Sequence, residues 1–91
     1  MLHAFFLGLA AVGAAGELET FRTAREALAD RDYPAAIRRL EAFRREFPDS
    51  AHGEEGEILL ARAHQLAGNP ERALEALRRF VEERPQSRFA V

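Results

Sequence analysis

Apolar residues recur along this chain at three- and four-residue intervals, the period of a helix that buries one face. Leu18, Phe21, Ala24 and Leu28 form the first stripe and predict a helix from about Leu18 to Asp30. Asp32-Tyr33-Pro34 breaks it. Asp32 can cap a new helix, and proline is tolerated in a first turn, where its missing N–H would have no partner anyway. The second helix is predicted to run to about Phe47, with Ala36, Ile37, Leu40, Phe43 and Phe47 on its core face. Pro48-Asp49-Ser50 closes it, and Ser50 is the expected cap of a third helix from Ala51 to Ala67. The expected core face there is Ile58, Leu59, Ala63 and Leu66. Gly68-Asn69-Pro70 combines a glycine past a helix end, a capping Asn and a first-turn proline. The fourth helix, Pro70 to about Arg84, is expected to bury Ala73, Leu74, Leu77, Phe80 and Val81, and Pro85-Gln86-Ser87 ends it. Arg88 to Val91 reads as the start of a fifth helix.

The stripes repeat. A shift of 37 residues lays Phe21 on Ile58, Ala24 on Ala61, Arg25 on Arg62, Ala36 on Ala73, Leu40 on Leu77, Phe43 on Phe80 and Pro48 on Pro85. Both helices of each unit match, so the unit is a helical hairpin. Ala36 and Ala73 let the two helices of a hairpin cross closely. One hairpin cannot bury both its faces, so neighbouring units must stack. The fold class is therefore all-α, tandem antiparallel helical hairpins in an α-solenoid fragment. Residues 17–50 form the first unit, and residues 51–91 form the second with the start of a further helix.

The pattern Ala36-Leu40-Pro48, repeated as Ala73-Leu77-Pro85, resembles the second half of a tetratricopeptide repeat (TPR). The run from Ala35 to Ser87, with its Phe47-Pro48-Asp49-Ser50 turn and its spacing beyond 34, is similar to TPR proteins of the bacterial envelope. These are the Tol-Pal-associated (YbgF-like) and outer-membrane assembly (BamD-like) proteins. The resemblance covers roughly residues 18–91. The Trp position of the general pattern holds Thr20 and Glu57, its Tyr position holds Ala27 and His64, and its packing glycine is Ala24 and Ala61. The resemblance implies a non-enzymatic interaction module of the envelope. Its concave face, lined by the first helix of each hairpin, would take a peptide or partner helix. Arg25 and Arg62 fall where that family often contacts ligands. Phe21 and Ile58, one turn earlier, would grip an apolar side chain, with Gln65 beside them. Arginine suits a carboxylate, because its planar fork donates two parallel hydrogen bonds, so the partner would be acidic. The alternative is that Arg22, Arg25 and Glu26 decorate a solvated face and Ala63 or Gln65 points into the groove. A rival role is self-association, or membership of a larger assembly, through the open ends of the stack.

The first sixteen residues, MLHAFFLGLAAVGAAG, carry no Asp, Glu, Lys or Arg. At ~1.5 Å per residue they reach roughly 24 Å, short of the ~30 Å hydrocarbon core, so no stable transmembrane span is expected. Phe5 to Val12 fits the apolar segment of a signal peptide, with Gly13-Ala14-Ala15 as the cleavage region. The protein would then be exported to the periplasm. If the segment is retained as an apolar helix packed on the next hairpin, the protein is cytoplasmic.

Composition removes other classes. The net charge is −2, from 13 basic and 15 acidic residues, against the net basic surface that nucleic-acid binding needs. With no cysteine there is no disulfide, no thiolate metal site and no cysteine in this sequence for a lipid anchor. His3, His52 and His64 lack the i, i+3 or i+4 spacing of a helical metal site, so no metal or cofactor is expected. No convergent catalytic set is found, and His64 reads as a packing residue. The arginine pairs Arg38-Arg39, Arg44-Arg45 and Arg78-Arg79 have acidic neighbours, such as Glu41 before Arg45 and Glu75 before Arg79. They read as a solvated, salt-bridged face, or as a basic strip for an acidic partner or lipid headgroups.

Overall fold

The computed structural model describes the backbone of residues 2–88 and the side chains of residues 16–88. It contains four helices: α1 Leu2–Ala29, α2 Tyr33–Glu46, α3 Gly53–Leu66 and α4 Pro70–Glu83. No strand occurs among the described residues. α1 packs on α2 and α3 on α4, and α2 joins the two hairpins by packing on α3. The helix of the first unit begins at Leu2 rather than Leu18. The side chains of the leader segment, and residues 89–91 of the expected fifth helix, lie outside the described residues. No helix is long and apolar enough to cross a membrane among the described residues.

The turns follow the punctuation closely, but only one of the three expected side-chain caps is made. Asp32 caps α2 as expected, its side chain accepting the Ala35 N–H at 3.2 Å. Ser50 does not cap α3. Its Oγ accepts the His52 N–H at 3.0 Å and its carbonyl accepts the Gly53 N–H, so a turn consumes Ala51 and His52 before the helix begins. Local side-chain bonding has here displaced the first helical turn. Asn69 holds the cap position of α4 without a side-chain bond.

The two hairpins turn in the same way. After α3, Gly68 adopts φ 86°, the Gly68 N–H bonds Gln65 and the Asn69 N–H reaches back to His64. After α1, Arg31 adopts φ 63°, its N–H bonds Leu28 and the Asp32 N–H reaches back to Ala27. Both are the paired-bond ending in which one residue turns left-handed. Arg31 and Gly68 are equivalent by the 37-residue shift, so the first hairpin carries an L side chain where the second has glycine. We expect Arg31→Gly to stabilise the protein and Gly68→Ala to destabilise it, each by about 1 kcal/mol. Urea unfolding followed by circular dichroism should show the two midpoints moving in opposite directions.

The main core lies between α1, α2 and α3 and is rich in alanine: Ala24, Ala27, Ala35, Ala36 and Ala63 surround Leu40 and Leu60. Beside it an aromatic group closes the α1–α2–α3 junction. The Phe43 ring is 5.2 Å from Phe21 and 5.7 Å from Phe47, and Phe21 stacks on His52 at 4.8 Å.

Several expected core positions are not buried. Leu18 is exposed, and Leu66 is half exposed because it faces a groove rather than a helix. Ile58 and Leu59 are half-buried, while Leu60, Ala61 and His64 take the buried places on α3. α3 is the middle helix, so its packed side faces α2 and α4 together. On α4, Ala73, Ala76 and Phe80 are buried, but Leu74, Leu77 and Val81 are 57%, 41% and 44% exposed. Leu40, the first-unit counterpart of Leu77, is 2% exposed because α3 covers it, and no further helix covers α4 among the described residues.

Candidate functional site

α1 and α3 are the first helices of their hairpins, and they flank a groove of about 560 Å³. Helical spacing along α1 brings Arg25, Leu28 and Ala29 to it, and the same spacing along α3 brings Glu55, Leu59, Arg62 and Leu66. Arg31 and Tyr33, from the turn after α1, close one end. The floor is apolar and the rim carries three guanidiniums against the single carboxylate of Glu55. An apolar floor with a few polar groups converging on it is the usual build of a binding site.

Arg25 and Arg62 thus line one groove. Ile58 and Gln65 line a neighbouring hollow toward α4, shared with Arg62, Leu66, Ala73 and Leu77. Phe21 does not line this groove. It is 3% exposed, held between Phe43 and His52, and belongs to the core rather than to a gripping surface. Arg25 lies over its ring at 5.8 Å, so Phe21 orients the arginine through a cation–π contact. Leu59, Leu66, Arg31 and Tyr33 were missed by the sequence reading. Leu59 and Leu66, seven residues apart, have the spacing of a core face but line the groove instead.

Farther along α1, Arg22 bonds Glu19 and Glu26. The hydrogen bond and the charge of Glu19, then the charge of Glu26, raise its guanidinium above the ordinary value. Arg22 is therefore already paired, whereas Arg25 makes only the ring contact among the described residues. Of the two, Arg25 is the one free to meet a ligand. Ala63 is fully buried, which removes it from the groove, and Gln65 is exposed.

The arginine pairs do not all decorate a solvated face. Arg44 and Arg79 both turn to Glu57 on α3, and Arg79 forms no ion pair with Glu75 among the described residues. Glu41 approaches His64 at 3.9 Å. His64 is 6% exposed and its Nδ1 has no hydrogen-bond partner. No group of three or more potential metal ligands occurs among the described residues.

Residues 14–90 match the family described as outer membrane lipoprotein, YfiO. No curated protein matches the chain, and no solved structure does.

Proposed function

The chain belongs to the outer membrane lipoprotein family YfiO, and on that footing we propose that it is a non-enzymatic envelope scaffold whose α1–α3 groove receives a peptide or partner helix. The observation that carries the reading is the joint placement of Arg25 and Arg62 on one apolar-floored groove. Three guanidiniums facing one carboxylate favour an acidic segment or a chain-terminal carboxylate, with Leu28, Leu59 and Leu66 taking its apolar neighbours. On this reading residues 1–16 direct export to the periplasm, where the groove would meet other envelope proteins.

The test is the double variant Arg25→Ala/Arg62→Ala. It should keep the helical circular dichroism of the parent and lose at least about tenfold in affinity for the partner recovered from a native envelope extract. Unchanged affinity in a folded double variant would remove both arginines from the site.

A second reading rests on the exposed apolar face of α4. Leu74, Leu77 and Val81 favour self-association or docking in a larger assembly. Sedimentation at micromolar concentration should then show a dimer that Leu74→Glu/Leu77→Glu converts to monomer. A folded parent monomer with a concentration-independent melt would exclude self-association.

A further inference from the structure

We propose that Arg44, Arg79 and Arg84, gathered around the buried carboxylate of Glu57, form a binding site for a phosphate group, separate from the α1–α3 groove. Glu57 is 4% exposed. Arg84 Nε donates to its Oε2 at 2.8 Å, Arg44 Nε donates to its Oε1 at 3.3 Å, and Arg79 Nε stands 3.8 Å from Oε1. The arginines come from three places: Arg44 from α2, Arg79 from within α4, and Arg84 from the end of α4. At ~100° per residue, Glu57 lies on the side of α3 away from Leu59, which faces the groove.

Charge and hydrogen bonding leave this cluster unfinished. Three guanidiniums meet two carboxylates, Glu57 and the half-exposed Glu83, which accepts from Arg44 Nη2 at a long 3.4 Å. Each arginine turns its Nε toward Glu57. The outer nitrogens of Arg79 and Arg84 make no hydrogen bond among the described residues, and Arg79 Nε is buried with the 3.8 Å ion pair to Glu57 but no hydrogen bond. The three side chains remain about one-third exposed, at 35%, 36% and 31%. Each guanidinium is thus anchored through Nε while about a third of its side chain stays open to solvent. Gly53 makes room for this arrangement, because a Cβ there would lie 2.9 Å from Arg84 Nη2. The cleft beneath holds only about 20 Å³, so the anion sits on the outer rim.

The first hairpin supplies an internal control. At the positions equivalent to Glu57, Arg79 and Arg84 it has Thr20, Ala42 and Phe47. The same hairpin is built there without a charge cluster, so the fold does not require one. Burying a carboxylate costs desolvation that an apolar arrangement avoids, which points to a use outside stability. A flat carboxylate is satisfied by one guanidinium fork. Guanidiniums arriving from three segments suit a tetrahedral oxyanion with more acceptor sites. The phosphate has two possible sources, a lipid headgroup or the free ion.

The experiment follows the arginine Nε–Hε resonances of the full chain by NMR. Inorganic phosphate should shift the Arg44, Arg79 and Arg84 signals saturably, while sodium chloride at equal ionic strength leaves them in place. The Arg25 and Arg62 signals should not move with phosphate. Arg79→Gln/Arg84→Gln should weaken phosphate binding by at least about tenfold. Should that variant fail to fold, Arg79→Gln alone serves, because Arg79 makes no hydrogen bond to Glu57 and both other arginines keep theirs. Vesicles of phosphatidylethanolamine and phosphatidylglycerol that bind and are displaced by phosphate identify a headgroup as the source. Phosphate binding without vesicle binding identifies the free ion. A uniform, non-saturating shift of all arginines, unchanged binding by the glutamine variants, or stronger shifts from polyglutamate than from phosphate would each overturn the assignment.

Discussion

Phe43→Ala should destabilise the protein by about 3–5 kcal/mol, enough to leave a domain of this size largely unfolded at room temperature. Phe43 is 2% exposed and touches three helices. From α2 its ring meets Phe21 of α1 at 5.2 Å, and it lies so close to α3 that a Cβ on Gly56 would come within 3.4 Å of it. No small rearrangement closes the resulting cavity, because α1, α2 and α3 are already at close approach through Ala24, Ala36 and Ala63. The repeat offers a matched comparison. Leu40→Ala should cost about 2–5 kcal/mol. Leu77→Ala, the same change at the equivalent position, should cost less than about 1 kcal/mol, because Leu77 is 41% exposed. Chemical unfolding followed by far-ultraviolet circular dichroism measures all three. Equal losses at Leu40 and Leu77 would show that α4 is covered in solution.

That asymmetry also marks where the sequence was legible and where it was not. The order and approximate lengths of the last three helices follow from periodicity and from Pro34, Gly68 and Pro70, because these residues act on the local backbone. The pairing of helices into hairpins follows from the 37-residue repeat. Burial is less local. Leu40 and Leu77 are the same residue in the same motif, yet one is core and the other surface, since burial depends on what stacks next. Leu59 and Leu66 share the spacing of core leucines but face the groove between α1 and α3, a feature of how two hairpins are offset. Arg25 and Arg62 could be placed together because the repeat relates them directly. Phe21 could not be separated from them, because the rings of Phe43 and His52 that enclose it come from other segments. The cluster at Glu57 was hidden for a related reason. Its four members are spread over 41 residues of sequence, from Arg44 to Arg84, so no local spacing rule relates them, and the one member with acidic residues four positions away, Arg79, is accounted for by Glu75 and Glu83.

Glu57→Ala should destabilise the protein by about 3 kcal/mol, at the low end of the ~3–5 kcal/mol found when one partner of a buried ion pair is removed. The loss has a definite origin. Arg44, Arg79 and Arg84 would be left facing one another with Arg79 Nε buried, and among the described residues only Arg44 would retain an acidic partner, Glu83. The figure stays at the low end because the three arginines are about one-third exposed and keep part of their hydration. A second change separates the cost of a broken cluster from the worth of an intact one. The triple variant Glu57→Thr/Arg79→Ala/Arg84→Phe transplants the residues that the first hairpin uses at these positions. It removes the buried carboxylate and two of its three cations together. The aromatic ring introduced at position 84 would fill the place that Phe47 fills beside Gly16 in the first unit. Stability of the triple variant should return to within about 1 kcal/mol of the parent, since exchanging a buried charge cluster for packed neutral residues is often nearly neutral. Unfolding midpoints for the single and triple variants decide the matter. A triple variant as unstable as Glu57→Ala would mean that the cluster itself holds α2, α3 and α4 together, and that the second hairpin does not tolerate the packing of the first.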